Sequence, residues 1–331
     1  MKQDPPFALQ VSLTTGCDQA CSFCALQAIR DNGADWKTGT HGPKNSSPFD
    51  FMSFETAKRV ATEVARLGWS CRVEFAGHGE PSLNPKFIEI ISVFRQALPH
   101  NHLMMTSNGA AFAKIEKIIG AFEAGLNTLA LDDYKHAKTV PKIIKALNDS
   151  FAARLDSLGV SIYEYPQQKE GNPHRRLKST ERMLVFVEDI TEATKGTHSN
   201  VTNQGVNSGA PDYSMKDKRC AKMFRELTVR SDGYVAICCD SWQGKYLIGN
   251  VADLSLDEIW NHPRFYAARQ ENYHNGRTFE PCYGCNVKSY RTGLLPDKLG
   301  KETMPKPNQS TRENIAAAIK AGRQYALNIR R

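Results

Sequence analysis

The chain has 331 residues, of which 40% are hydrophobic and 24% charged, and a formal net charge of +8. That balance describes an ordinary globular protein, long enough for one large domain and a smaller one. No run approaches the roughly 18 apolar residues of a membrane span, and the opening MKQDPPFALQ lacks an export signal's apolar core, which points to a cytoplasmic protein.

Along the first 190 residues strand and helix signals alternate. Strands are expected at 7–13, 72–76, 102–106, 128–132, 160–165 and 182–187. Helices are expected at 54–67, behind a Ser53 cap and stopped by Gly68, then at 85–98, 111–124 and 140–158. The fifth connection, PQQKEGNPHRRLKST, is a poor helix. Alternating β and α units predict an α/β fold with a parallel sheet inside its helices. Six units suit an open partial (β/α)6 TIM-like barrel better than a closed eight-unit one. Functional groups then belong on loops at the C-terminal ends of the strands.

Two polar connections, 26–52 and 190–216, are long enough to be functional loops or linkers. After 217 the pattern changes to short strands in ELTVRSDGYVAICCD, turning at Asp232–Gly233, and a short helix in SLDEIWN. The tail NQSTRENIAAAIKAGRQYALNIRR reads as a helix. Ser310 and Glu313 have capping-box spacing, and Ile315, Ile319, Ala326 and Ile329 mark an apolar face. The expected division is a barrel over 1–190, a linker over 191–216, a small β-hairpin plus helix domain over 217–290 and a basic tail over 291–331.

Nine cysteines need a reason, and a chain with no export signal is not a disulfide scaffold. Cys71 stands alone on a strand-like run and reads as a small buried hydrophobe. The others form two groups. In TTGCDQACSFCAL, Cys17, Cys21 and Cys24 follow the first strand as C-x3-C-x2-C, with no fourth ligand close by. Structural zinc prefers four protein ligands. A cubane held by three thiolates keeps one iron free for a ligand. The second group is Cys220, Cys238 or Cys239, Cys282 and Cys285. Four thiolates suit either zinc or a fully ligated cubane. Adjacent strand residues face opposite ways, so Cys238 and Cys239 compete for one role.

The first group, on its strand, resembles the signature of the radical S-adenosylmethionine (SAM) superfamily. The resemblance implies a [4Fe–4S] cluster whose free iron binds SAM, with Phe23 near the adenine. FAGHGEPSLNP resembles that family's GGE motif with His78 in the middle place. Gly77 and Gly79 would let the backbone approach a ligand closely, and Glu80 would pair with the SAM ammonium. MMTSNG resembles the ribose-contacting segment, implicating Ser107 and Asn108; a plain helix-capping turn is the other reading. DGYVAICCDSWQGKYLIGNVADLSLDEIWN looks like the SPASM and twitch extensions, which hold auxiliary [4Fe–4S] clusters. With no cysteine after Cys285, the pattern is closer to twitch, with one auxiliary cluster and Cys238 as its second ligand.

The resemblance implies SAM and two [4Fe–4S] clusters as cofactors and an external donor of flavodoxin or ferredoxin type. The substrate is less legible. Oxidation or rearrangement of a small polar molecule is the first expectation. Nucleic-acid modification is the second, because residues 286–331 carry ten basic and three acidic side chains, among them Lys298, Lys301, Lys306, Arg312, Lys320, Arg323, Arg330 and Arg331. HRRLK at 174–178 adds a basic loop, but basic tails are commonly solvated helix faces. A peptide maturase is the third expectation, weakened because the first strand starts near Phe7, too early for a leader-binding domain. Asp132 and Asp133 end the fourth strand; Tyr163, Glu164 and Arg175 are the polar candidates for proton handling.

Overall fold

The computed structural model describes residues 3–19, 50–133, 139–147, 151–165, 181–187, 211–287 and 304–329. Strand β1 (Ala8–Val11) is buried along its length, as a parallel strand covered on both faces should be. The chain runs on into β2 (Thr14–Thr15), which pairs antiparallel with β3 (Asp50–Phe51). Helix α1 (Phe54–Arg66) starts where the Ser53 side chain accepts the Thr56 N–H, and it buries a stripe of Ala57, Val60, Ala61 and Val64. The unit repeats through β4 (Arg72–Phe75), α2 (Phe87–Ala97), β5 (Leu103–Ser107), α3 (Glu116–Glu123) and β6 (Thr128–Asp132). Cys71 is buried among apolar neighbours, and burial pushes its thiol up to about 12.

The helix expected over 140–158 is two helices, α4 (Thr139–Ala146) and α5 (Ala152–Ser157). Between them the sequence holds Asn148, Asp149 and Ser150, residue types that favour caps and turns over helix interiors. The last two barrel strands, β7 (Val160–Tyr165) and β8 (Arg182–Val187), do not follow in simple succession. β8 pairs parallel with both β6 and β7, so β7 takes the sheet edge. Composition gives the reason. RMLVFV buries its four middle residues, whereas VSIYEY leaves Ile162 and Tyr163 42% and 47% exposed.

On the opposite side of β1, the sheet continues. After α6 (Lys222–Arg225), strand β9 (Glu226–Val229) pairs parallel with β1 over four residues. β10 (Tyr234–Ala236) returns antiparallel through the Asp232–Gly233 turn, with Gly233 at φ +80°, and β11 (Leu247–Asn250) follows it. One sheet therefore runs β11-β10-β9-β1-β4-β5-β6-β8-β7. The expected C-terminal hairpin is present, but it extends the barrel sheet instead of forming a sheet of its own.

α7 (Leu256–Trp260), closed by a Ser255–Glu258 capping box, leads into α8 (Pro263–Asn275). The tail helix α9 (Gln309–Ile329) is capped by Asn308, whose Oδ1 accepts the Thr311 N–H at 3.0 Å, and not by Ser310 as expected. Its buried seam is Thr311, Ile315, Ala318, Gly322 and Tyr325; of the expected apolar face Ile315 lies in it and Ile319 packs partly buried beside it, while the side chains of Ala326 and Ile329 lie outside the described residues. Small residues line this seam because the backbone itself comes close. A Cβ on Gly322 would collide with the carbonyls of Gly244 and Lys245. No described helix is long and apolar enough to cross a membrane.

Candidate active site

Cys17 lies just past β2, and its loop is held from three sides. The Gly16 N–H donates to the His78 carbonyl at 3.1 Å, and the Glu80 N–H donates to the Gly16 carbonyl at 3.0 Å. The Thr15 hydroxyl bonds the Ser231 hydroxyl at 2.7 Å, and Ser231 in turn donates to Asp50 at 2.9 Å. Ends of β1, β4 and β9 thus meet around the cysteine, at the C-terminal edge of the parallel strands. The Gln19 N–H approaches the Cys17 sulfur at 3.4 Å and Asn108 Nδ2 at 3.6 Å. The same sulfur lies 3.6 Å from the Asp18 carboxylate, to which it donates. Cys21, Cys24 and Phe23 lie outside the described residues.

The GHGE loop after β4 packs directly on the cysteine loop. At Gly77, φ is +135° and a Cβ would collide with Ser12. At Gly79 a Cβ would overlap the backbone of Gly16 and Thr14. Gly79 is thus needed where this loop packs on the cysteine loop and Gly77 where it passes Ser12. Glu80 is 3% exposed, and its carboxylate gathers the next loop. It accepts from the Ser82 N–H at 3.0 Å, the Ser107 hydroxyl at 2.7 Å and the Asn108 N–H at 2.8 Å, and also from the Ser82 hydroxyl. Burial, partly offset by these bonds, raises its pKa.

Ser107 and Asn108 are therefore tied to Glu80, and the Ser107 hydroxyl also accepts the Gly109 N–H at 3.0 Å. The Asn108 side chain bonds Asp18 at 2.7 Å and reaches Cys17. Cys17, Glu80, Ser107 and Asn108 are thus neighbours in the fold. The His78 ring is 1% exposed and bonds the Cys239 carbonyl at 2.9 Å. Burial first, then Arg230, pulls this imidazole down to about 3.

The second cysteine group lies beyond β9. Cys220, Cys282 and Cys285 are buried free thiols, and Cys238 is half-buried. Burial, then the neighbouring Cys285 and Cys220, push the Cys282 thiol well up. Cys238 is pushed up by burial and by Asp240, Cys239 and Cys282. So many thiols this close cannot all ionise unaided; a cationic iron–sulfur core removes that obstacle, and the donor set fits one. Among the described residues no three His, Cys, Asp or Glu side chains converge on a single metal ion. A cubane spreads its ligands over four irons, wider than one ion does.

Cys239 has partners of its own. Its sulfur accepts from Lys222 Nζ at 2.8 Å, while Lys222 pairs with Asp240 at 2.9 Å and Glu226 at 3.7 Å. Single cations that the sequence did not single out brace this region. Buried Arg277 donates to the Cys285 and Val287 carbonyls, both at 2.6 Å. Arg230 donates to the Trp242 carbonyl at 2.8 Å and to the Tyr325 hydroxyl at 2.9 Å. Lone Lys and Arg residues carry no spacing signal, so only the positions of their carbonyl partners could have revealed them. Of the polar candidates, Tyr163 is exposed on the edge strand and Asp132 closes β6. Asp133 donates its N–H to the Val187 carbonyl at 2.9 Å. Arg175 lies outside the described residues.

A parallel α/β sheet with a cysteine loop at the C-terminal end of its first strand, flanked by buried thiols past β9, defines an iron–sulfur protein of the partial-barrel class. The chain belongs to the radical SAM superfamily, which matches residues 11–160, and it carries the SPASM iron–sulfur cluster-binding domain over residues 220–286. Its cofactors are SAM and two iron–sulfur clusters.

The fold is similar to that of BtrN in complex with AdoMet and 2-DOIA, at a TM-score of 0.59 and 15% identity, covering 86% of this chain and 94% of that one. GTP 3',8-cyclase of Pectobacterium atrosepticum is 30% identical over 108 residues, 33% of this chain; the match spans 29% of that relative's length. PqqA peptide cyclase of Gluconobacter oxydans is 22% identical over 320 residues, covering 86% of this chain and 84% of the relative. That of Methylobacterium nodulans is 24% identical over 329 residues, covering 85% and 79%.

Proposed function

We propose that this radical SAM enzyme cleaves SAM reductively, abstracts a hydrogen atom from its substrate and uses one auxiliary [4Fe–4S] cluster to take up an electron. Cys17, Cys21 and Cys24 hold the first cluster; Cys220, Cys238, Cys282 and Cys285 hold the second. The observation that carries this reading is the meeting of Cys17, the Glu80 loop and Asn108 at one edge of the sheet, with buried thiols past the neighbouring strand β9. When bound and reduced, SAM and its cluster supply a 5'-deoxyadenosyl radical. The chain's own part is positional. Asn108 and the Gln19 N–H donate to the Cys17 sulfur and orient its loop, and Glu80 holds Ser107 and Asn108 beside it. Among the described residues only the Asn108 N–H donates to Glu80 Oε2, an oxygen to which an ammonium group would bind. Cys238 is the second ligand of the auxiliary site because Cys239 is engaged by Lys222.

An external low-potential donor of flavodoxin or ferredoxin type supplies the electron, and the division into barrel, linker, auxiliary segment and tail is part of the same reading. The substrate read first is a small polar molecule undergoing oxidation or rearrangement. A peptide substrate is the second reading, favoured by the match to PqqA peptide cyclases along most of the chain. Nucleic acid loses support, since Tyr325 is buried against Arg230 and is not free to stack on a base.

The test is anaerobic reconstitution followed by iron counting and assay of 5'-deoxyadenosine. A Cys17→Ala, Cys21→Ala, Cys24→Ala variant should lose the product and the first cluster while keeping the second. Native chain that takes up no iron would sink the reading. Parallel assays with small metabolites, peptides and nucleic acid then separate the substrate classes by stimulation of product.

A further inference from the structure

His78 is the place where the two cofactor loops touch. Its backbone carbonyl accepts the N–H of Gly16, the residue before Cys17, at 3.1 Å. Its ring Nε2 lies 2.9 Å from the carbonyl of Cys239, the residue after Cys238. Arg230 Nη1 approaches the other ring nitrogen, Nδ1, at 3.4 Å. A carbonyl only accepts and a guanidinium only donates. The ring is therefore neutral, with its proton on Nε2 and its lone pair on Nδ1. The ring packs at a tilt against Trp242, 5.2 Å between centroids, and the residue is 1% exposed.

The support behind the ring is equally fixed. Arg230 also donates to the Trp242 carbonyl at 2.8 Å, so it clamps the same turn that His78 touches. From its far side Tyr325 of α9 accepts from Arg230 at 2.9 Å and donates to Asp232. Gly16 is gripped on both sides by the GHGE loop, through its N–H to His78 and its carbonyl to Glu80. A displacement of the Cys17 loop is passed to His78, whose buried imidazole is held by the Cys239 carbonyl, Arg230 and Trp242.

We propose that His78 is a positioning residue that couples the SAM loop to the Cys238 turn, so that SAM binding is felt at the auxiliary cluster. The inference rests on the two-cluster reading above. Reciprocity gives it a second face: the oxidation state of the auxiliary cluster changes SAM affinity by the same factor. A coupling of about tenfold lies inside the usual range for linked sites. In a one-electron couple it reads as a shift of about 59 mV.

The experiment is potentiometry of the reconstituted full chain, following the auxiliary cluster by electron paramagnetic resonance with and without SAM. The Cys17→Ala, Cys21→Ala, Cys24→Ala variant supplies the spectrum of the auxiliary cluster alone. In native protein SAM should move the auxiliary midpoint. His78→Leu should load both clusters and abolish the shift, whereas His78→Gln, with an amide N–H that can reach the Cys239 carbonyl, should keep part of it. Tyr325→Phe, which touches neither loop, should reduce the shift by loosening Arg230. A midpoint indifferent to SAM in fully loaded native protein overturns the inference, as does an undiminished shift in His78→Leu. Failure of native protein to load two clusters would instead overturn the two-cluster reading, and the iron count tells the two failures apart.

Discussion

Four donors converge on the buried carboxylate of Glu80: the N–H and hydroxyl of Ser82, the Ser107 hydroxyl and the Asn108 N–H. Glu80→Ala strips them of their acceptor, and each buried donor so orphaned costs about 1–3 kcal/mol. Chemical denaturation should register the loss; an unchanged midpoint would contradict the geometry. The raised pKa of Glu80 fixes a sign as well. Over the interval between the ordinary carboxylate value of 4.5 and the raised folded value, the folded chain holds a proton that the unfolded chain has released. Stability from this group is full at acidic pH and falls as pH rises through that interval. Glu80→Gln lacks the titration, so its stability relative to native should improve from acidic to neutral pH. At Gly79 the added methyl of an alanine meets the Gly16 backbone, which cannot rotate aside. Gly79→Ala should lose iron at the Cys17 loop and retain it at the auxiliary site, as read by iron content and electron paramagnetic resonance.

Helix α9 shows how packing reverses a propensity. In an exposed helix, replacing glycine by alanine stabilises by roughly 0.8–1 kcal/mol. Gly322 instead lies where α9 presses on the carbonyls of Gly244 and Lys245. Gly322→Ala should therefore lower the melting temperature, and a rise would mean that α9 does not dock through this seam. The same docking explains the tail's charge. Arg312, Lys320 and Arg323 stand on the outward face, Arg323 74% exposed and 3.5 Å from Glu280, while the seam carries no charge. A pairing that exposed contributes little.

Across the whole molecule, β1 is held between β4 and β9, so the SPASM segment completes the barrel's own sheet. Ser231 at the end of β9 reaches Thr15 and Asp50 at the two roots of the cysteine loop. A chain ended at residue 216 lacks β9, leaves the edge of β1 bare and loses that brace. It should neither unfold cooperatively nor hold iron at the first loop. Circular dichroism and iron content would check this, and a stable iron-loaded barrel would refute it.

Much of the site was legible in the sequence because its parts are local. The cysteine loop, GHGE and SNG each follow a strand, and the parallel sheet collects strand ends at one edge whatever the details of packing. Thus Cys17 was identifiable from spacing and strand position, and Glu80 and Asn108 from the family resemblance of their motifs, whereas Cys238 and Cys239 lie in the turn past β10, where the strand-pleating argument does not reach. What the glycines were for was not legible, since Gly79 is demanded by the backbone of Gly16, a partner fixed only when β1 and β4 pair. The direction of the His78 ring, the bracing by Arg230 and Arg277 and the seam of α9 were likewise decided by tertiary structure. So was the insertion of β8 between β6 and β7. Covalent spacing determined which groups stand near each strand end; the choice of neighbouring strands, made by contacts far apart in the chain, determined what those groups touch.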